Sequence, residues 1–252
     1  MAWQPTKAQL DQAFDHARAS MPMESCGVII AGAFHAVHNL AEEINYFVMD
    51  MREVVDLIAR HGPLQAIVHS HAFLPAHASI ADLVSCEKHG LPWLIVAMPT
   101  RQYLVIEPKG YAAPLIGRPW AWGTLDCYGL VRDAYATLGG IELKDYPRDW
   151  GWWERGENII ADQFLDAGFV ELDQDAPYQH LDVIGMQVRC QVVNHVGVWL
   201  EGDDILHHLA GRNSVREPFG GLYRKATRFH LRHKDIIAIG VLSKREQLEN
   251  AT

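Results

Sequence analysis

Two sets of residues in this chain have types and spacings that can do chemistry. In the first, His69-Ser70-His71 is followed after seven residues by Ser79 and, after two more, by Asp82. Two imidazoles and a carboxylate can hold a divalent cation while a fourth position stays open to water, the donor pattern of a catalytic zinc site and not of a closed structural one. Glu24, shortly before the apolar run Cys26 to Ala31, adds an acid that can serve as general base. In the second set, Cys127 follows Gly123-Thr124-Leu125-Asp126, and Asn194-His195 and Ile205-Leu206-His207-His208 lie further along. A thiol, an imidazole base and a third polar group that orients the imidazole make up the apparatus of nucleophilic catalysis.

Local structure must bring these groups together. Leu64 to Ser70 is apolar and branched enough to be a buried strand running into His71. Residues two apart on a strand face the same way, so His69 and His71 present both rings to one point. Ser79 opens an amphipathic stretch that reads as a helix up to Gly90, with Asp82 in its first turn. The same Ser79-x-x-Asp82 pair is also an ordinary capping box. Cys127 precedes a helical stripe of Leu130, Val131, Ala134, Tyr135 and Leu138 that stops at Gly139-Gly140. At a helix start a cysteine pKa falls from about 8.5 into a range of roughly 3.5–7.5, which makes Cys127 a candidate thiolate. An isolated free cysteine is otherwise a small buried apolar residue. His195 heads a strand, and a turn at Gly202-Asp203-Asp204 leads into Ile205 to His208 as its hairpin partner. Either His207 or His208 can orient His195.

Glu24, His69-Ser70-His71, Ser79 and Asp82 at this spacing resemble the JAMM (MPN-type) metalloprotease motif, over roughly residues 1 to 110. The resemblance implies that His69, His71 and Asp82 hold zinc (Zn2+), that Glu24 takes a proton from the zinc-bound water, and that Ser79 helps stabilise the tetrahedral oxyanion. Ala72 stands where that family usually has proline. Asp-Cys-x-Gly-Leu-Val at a helix start, then His-Val-Gly-Val on a strand, then Ile-Leu-His, resembles the NlpC-type papain-like cysteine peptidases of bacterial cell-wall turnover, over about 113 to 245. It implies Cys127 as nucleophile, His195 as base and His207 as third residue, because the family's histidine directly follows its two apolar residues. Tyr128 stands where many members have serine, and Trp120 where a tyrosine assisting the oxyanion is common.

The chain has 252 residues, 49% hydrophobic and 21% charged, room for two domains of ordinary size. Six of its eight tryptophans fall between 120 and 199, and Glu107 to Pro119, with three prolines and two glycines, reads as a linker. The expected domains are 1–110 and 111–252. The net charge of −9 divides into about −4 and −5 across the two, so neither offers a basic stripe and no nucleic-acid partner is expected. No apolar run approaches a membrane span, and the start lacks a basic-then-apolar signal segment. Four cysteines without a C-x-x-C pair argue against a disulfide framework.

The fold expectation is α+β in both domains. The first is a mixed sheet with strands near 26–31, 33–38, 64–70, 93–98 and 103–107 and helices near 6–19, 51–61 and 79–89. The second sets a helix opening near Asp126 against an antiparallel sheet containing 182–189, 192–200, 204–209 and 236–242. The aromatic segment with Tyr146, Trp150, Trp152 and Trp153 packs on the core or forms a wall for a glycan or peptide. The order of the two domains resembles the tail-tip assembly proteins of lambda-like bacteriophages. That implies a protein made in the host cytoplasm and carried at the virion tail tip, with other phage tail-tip proteins as partners and peptidoglycan peptide as substrate. The alternative within the same resemblance is a structural tail-tip component with one or both sites inactive or occluded.

Overall fold

In the first half, strand and helix periods read from the sequence settle into a five-stranded sheet covered on both faces. The structure is a computed structural model and describes residues 2–148 and 151–237. The chain divides into two units, Met1–Ala112 and Ala113–Thr252. Unit 1 runs α1 (Lys7–Ser20), β1 (Cys26–Ile30), β2 (Ala33–Val37), α2 (Met51–His61), β3 (Leu64–His71), α3 (Ile80–His89), β4 (Trp93–Ala97) and β5 (Gln102–Ile106). Its sheet has the order β2-β1-β3-β4-β5 and is antiparallel except between β3 and β4. A parallel pair needs a crossover, and α3 supplies it.

Strand alternation divides the residues of unit 1 between two faces. Ile29, Ala66, Val68, Leu94 and Val96 pack under Ala13, Phe14 and Ala17 of α1. Val28 and Ile30 lie on the other face under Val54 of α2, and Ile67 joins Cys86 of α3 and Trp93. His69 and His71 follow Ile67 at intervals of two, so they leave the sheet on the side of α2 and α3.

Unit 2 contains α4 (Cys127–Ala134), which continues as one π-type turn over Tyr135–Gly139, then α5 (Ile159–Gln163), β6 (Phe169–Leu172), β7 (Val183–Met186), β8 (His195–Leu200), β9 (Asp204–His207), β10 (Val215–Pro218), α6 (Gly221–Ala226) and β11 (Thr227–His233). The strands form one antiparallel sheet in the order β10-β9-β8-β7-β11-β6. Leu130, Val131 and Ala134 of α4 pack on Val196, Val198 and Leu206. Ile184, Met186, Ile205 and Phe219 form a separate cluster.

The strand expected at 236–242 is a correction. Ile236 and Ile237 lie in a helical turn, 238–242 lie outside the described residues, and the pairing strand is β11. Its sequence, TRFHLRH, alternates a polar face with Phe229 and Leu231, a weaker signal than the continuous apolar run that follows. The polar face is satisfied by Asp182, which accepts from His230 Nε2 at 2.6 Å and from Arg232 Nε at 2.7 Å, so buried charge meets partners inside the sheet. No helix among the described residues is long and apolar enough to cross a membrane.

Candidate active sites

In unit 1 the end of β3 and the start of α3 bring three ligand-type side chains into one buried cluster. One ligand atom from each of His69, His71 and Asp82 lies within 4.8 Å of the others. His69 Nε2 stands 3.4 Å from His71 Nε2 and 3.3 Å from Asp82 Oδ1, and His71 Nε2 is 3.8 Å from Asp82 Oδ2. Ligands around a tetrahedral zinc, each roughly 2.0–2.1 Å from the ion, are separated by about 3.3–3.4 Å; the spacings from His69 to His71 and to Asp82 match this, and that between His71 and Asp82 is wider. The tautomer of His71 also fits. Its Nδ1–H donates to the Pro75 carbonyl at 3.0 Å, which leaves Nε2 as a lone pair turned to the cluster. His69 stacks on Phe47, ring centroids 4.6 Å apart, with its edge toward Trp93. Burial pushes its pKa down to about 4, against the pull of Asp82, so its ring is neutral and able to ligate at pH 7.

Ser79 and Asp82 form the capping box read from their spacing, and Asp82 also stands in the candidate ligand cluster. Ser79 is the N-cap of α3, and its Oγ accepts from the Asp82 N–H at 3.0 Å. The Ser79 hydroxyl and N–H in turn donate to Asp82 Oδ2, at 2.7 and 2.8 Å. The capping box therefore fixes the carboxylate and loads one oxygen, while Oδ1 faces His69. Glu24 is buried, and burial followed by the charge of Asp82 pushes its pKa up to about 8. It precedes β1, whose Cys26 is in register with His69, so the pairing of β1 with β3 sets Glu24 beside the ligand end of the strand.

In unit 2, Cys127 is the first residue of α4, and Asp126 caps the helix by accepting from the Gly129 N–H at 2.7 Å. Gly129 is required there: a Cβ would stand 2.4 Å from the Thr124 carbonyl. Arg148 Nε holds the other Asp126 oxygen at 2.8 Å. His195 Nε2 lies 3.0 Å from His207 Nδ1, and His207 Nε2 lies 2.8 Å from Glu217 Oε1. Gly197 is paired with His207 across the hairpin, and a Cβ there would come within 2.9 Å of the His207 Cβ, so a side chain would force the ring away. His208 turns elsewhere, with Nε2 on the Arg212 carbonyl at 3.0 Å and its ring edge-on to Trp120. The structure thus brings His207, and not His208, to His195. Cys127 and His195 line one cavity of about 720 Å³, together with Trp120, Trp122, Trp152 and Trp153. Trp152 is buried and also walls this cavity, so that part of the aromatic segment both packs and lines; Trp150 lies outside the described residues.

The electrostatics of the thiol differ from expectation. Burial, followed by the charge of Asp126, pushes the Cys127 pKa up to about 12, although N–H groups of Val196 and Tyr128 and the charge of Arg148 pull it down. Removing the sulfur from water outweighs the helix terminus, whose capping acid is itself negative. Burial with the neighbouring His207 and His208 holds His195 down at about 3. The resting pair is therefore a neutral thiol and a neutral imidazole, with no direct hydrogen bond between them among the described residues. Such contacts are often loose before substrate binds. Glu217 and its neighbour Tyr223 were not legible in sequence: Val-Arg-Glu-Pro is short, polar and closed by proline, with nothing to mark it as the strand beside β9.

Residues 6–105 match the family model described as prokaryotic homologs of the JAB domain, and residues 117–232 match the NlpC/P60 family. The chain is similar to tail tip assembly protein K of Escherichia phage N15, 36% identical over 234 residues, spanning 90% of this chain and 95% of that protein. It is also similar to tail tip assembly protein K of Escherichia phage lambda, 32% identical over 173 residues, spanning 69% of this chain and 83% of that one. Among solved structures, the NlpC/p60 domain of the peptidoglycan hydrolase SagA is 18% identical and covers 47% of this chain and 89% of its own, with a TM-score of 0.32, too low to carry weight.

Proposed function

Because the chain belongs to the tail tip assembly protein K family, we propose that it is a tail-tip peptidase with two hydrolytic centres. Unit 2 hydrolyses amide bonds of peptidoglycan peptide crosslinks through Cys127 and His195, at the cell wall. Unit 1 cuts a protein or peptide substrate, other tail-tip proteins included, at the His69, His71 and Asp82 site. The observation that carries the reading is that a helix-start thiol and His195 line one cavity, with His207 hydrogen-bonded behind His195.

In unit 2 the proton of Cys127 passes to His195 as Sγ attacks the amide carbon, so charge forms only as the bond does. The N–H groups at the start of α4 donate to the developing oxyanion. His195 then protonates the leaving amine, and water releases the acyl group from sulfur. In unit 1, His69, His71 and Asp82 would hold a divalent cation, with zinc the best match to two nitrogens and one oxygen. Bound there, such an ion supplies Lewis-acid activation of water at neutral pH. Burial and Asp82 hold Glu24 protonated at neutral pH, so it would act as the base once the positive charge of a bound cation lowers its pKa, while Ser79 keeps the Asp82 carboxylate oriented and would help an oxyanion through its hydroxyl.

A second reading, a structural tail-tip component with occluded sites, is favoured by the burial of the thiol and of His195, 8% and 4% exposed. Digestion of purified peptidoglycan with the full chain decides between them. Release of muropeptides by the wild type and none by Cys127→Ala supports the peptidase; no release by either supports the scaffold.

A further inference from the structure

We propose that Glu217 is a positioning residue for the thiol site: by accepting from His207 it fixes the proton arrangement of two imidazoles and reserves the Nδ1 lone pair of His195 for Cys127. The inference rests on the peptidase reading of unit 2. An ionised carboxylate can only accept hydrogen bonds. With Glu217 Oε1 at 2.8 Å, His207 Nε2 must carry the hydrogen. His207 is completely buried, and that burial holds it below the ordinary histidine range, so the ring is neutral and its Nδ1 is bare. A bare Nδ1 at 3.0 Å from His195 Nε2 accepts from it, which places the single hydrogen of neutral His195 on Nε2. The nitrogen left with a lone pair is His195 Nδ1. When Cys127 ionises, its S–H bond breaks and an N–H bond forms at Nδ1; the Nε2–H stays shared with His207, and the new positive charge is opposed by Glu217 at the end of the chain.

Two further features hold Glu217 in this position. Tyr223 donates from its hydroxyl to the same Oε1 at 2.7 Å, and its ring stands edge-on to His207 with centroids 4.8 Å apart. The β9–β10 register pairs Val215 with His207 and Glu217 with Ile205, so Glu217 reaches His207 diagonally along one face. The carboxylate is 40% exposed and opens with His207 and Arg212 on a second cavity of about 410 Å³. Its charge therefore stays partly in water while its oxygen serves a buried ring.

The test uses the full chain, with ring 15N shifts of His195 and His207 by NMR and the rate at which iodoacetamide alkylates Cys127, read by peptide mass spectrometry. The wild type should show both rings as Nε2–H tautomers. In Glu217→Ala, His207 should lose that tautomer and Cys127 alkylation should slow by about 10- to 100-fold, as when a group orienting a reactive ligand is removed. Glu217→Gln should restore much of both, because its carbonyl oxygen still accepts, and Tyr223→Phe should fall between. Unchanged ring shifts in Glu217→Ala overturn the proposal. Should Glu217→Ala not fold, a Gln variant whose ring shifts and alkylation rate match neither the wild type nor Tyr223→Phe overturns it as well. A wild-type chain that releases no muropeptides from purified peptidoglycan sinks the peptidase reading instead, and the ring shifts still judge Glu217.

Discussion

The two candidate sites reach their geometry by opposite routes. In unit 1 the three ligand-type residues come from one continuous run, the end of β3 and the first turn of α3. In unit 2, Cys127, His195, His207 and Glu217 come from α4, β8, β9 and β10, and Glu217 is linked through His207 to His195 only once β8, β9 and β10 have paired. The charge also differs. Unit 1 gathers two carboxylates beside its histidine pair, and Glu24 is pushed up by burial and then by the charge of Asp82. Unit 2 keeps its reactive pair uncharged and places the acids, Asp126 and Glu217, at the two ends. A site that would hold a cation tolerates crowded negative charge; one that would move a single proton sets an acid at each end of the relay.

The contrast breaks most decisively if the two centres fail to act separately. Cys127→Ala or His195→Ala should reduce peptidoglycan turnover by on the order of 10⁴-fold or more, as when a member of a nucleophilic unit is lost, while His69→Ala leaves it unchanged. Muropeptide chromatography reads both, and loss of activity in His69→Ala would show that the centres are not independent. Next in size, Glu24→Gln should keep bound zinc, measured by atomic emission, while peptide turnover by unit 1 falls roughly 10²- to 10⁴-fold; normal turnover would remove Glu24 from the role of base.

The uncharged design of unit 2 predicts acid lability. His195 and His208 fold with pKa values of about 3 and about 4, below the ordinary 6.5. The unfolded chain therefore takes up protons first, and the stability they contribute is present above pH 6.5 and lost as pH falls toward 4. The slope approaches about 1.4 kcal/mol per pH unit for each. Urea midpoints at pH 7, 6 and 5 measure it, and a flat profile would contradict the neutral buried pair. The smallest effect belongs to Ser79→Ala, which should cost about 0.5–2 kcal/mol through the lost cap. It should also weaken zinc binding by roughly tenfold or more as Asp82 loses its orientation. Calorimetric titration with zinc checks the second part.

The same contrast explains what could be read without coordinates. The five strands of unit 1 and its three helices follow from clear periods, and Asp82 is found by counting from His71, because a strand, a short loop and a helix turn leave little freedom. For unit 2, α4, β7, β8 and β9 were legible, while β6, β10 and β11 were not, since Phe169–Leu172 and Val215–Pro218 are four-residue strands with exposed faces. Glu217 was hidden for that reason. The ionisation of Cys127 was misjudged because position at a helix start is visible in sequence and depth of burial is not. His207 was preferred to His208 on the family resemblance alone; the register that decides between them appears only in the pairing of Gly197 with His207.

At the exit from unit 1, Glu87 of α3 accepts from the Lys109 N–H at 2.6 Å and from the Tyr111 N–H at 3.0 Å. This clasp fastens the departing backbone to the helix that carries Asp82, little more than one turn away. Tension applied to the polypeptide beyond Tyr111 would therefore be borne first by Glu87 and delivered along α3 to the ligand cluster. A pull there would thus reach the candidate ligand cluster through two hydrogen bonds on a single carboxylate.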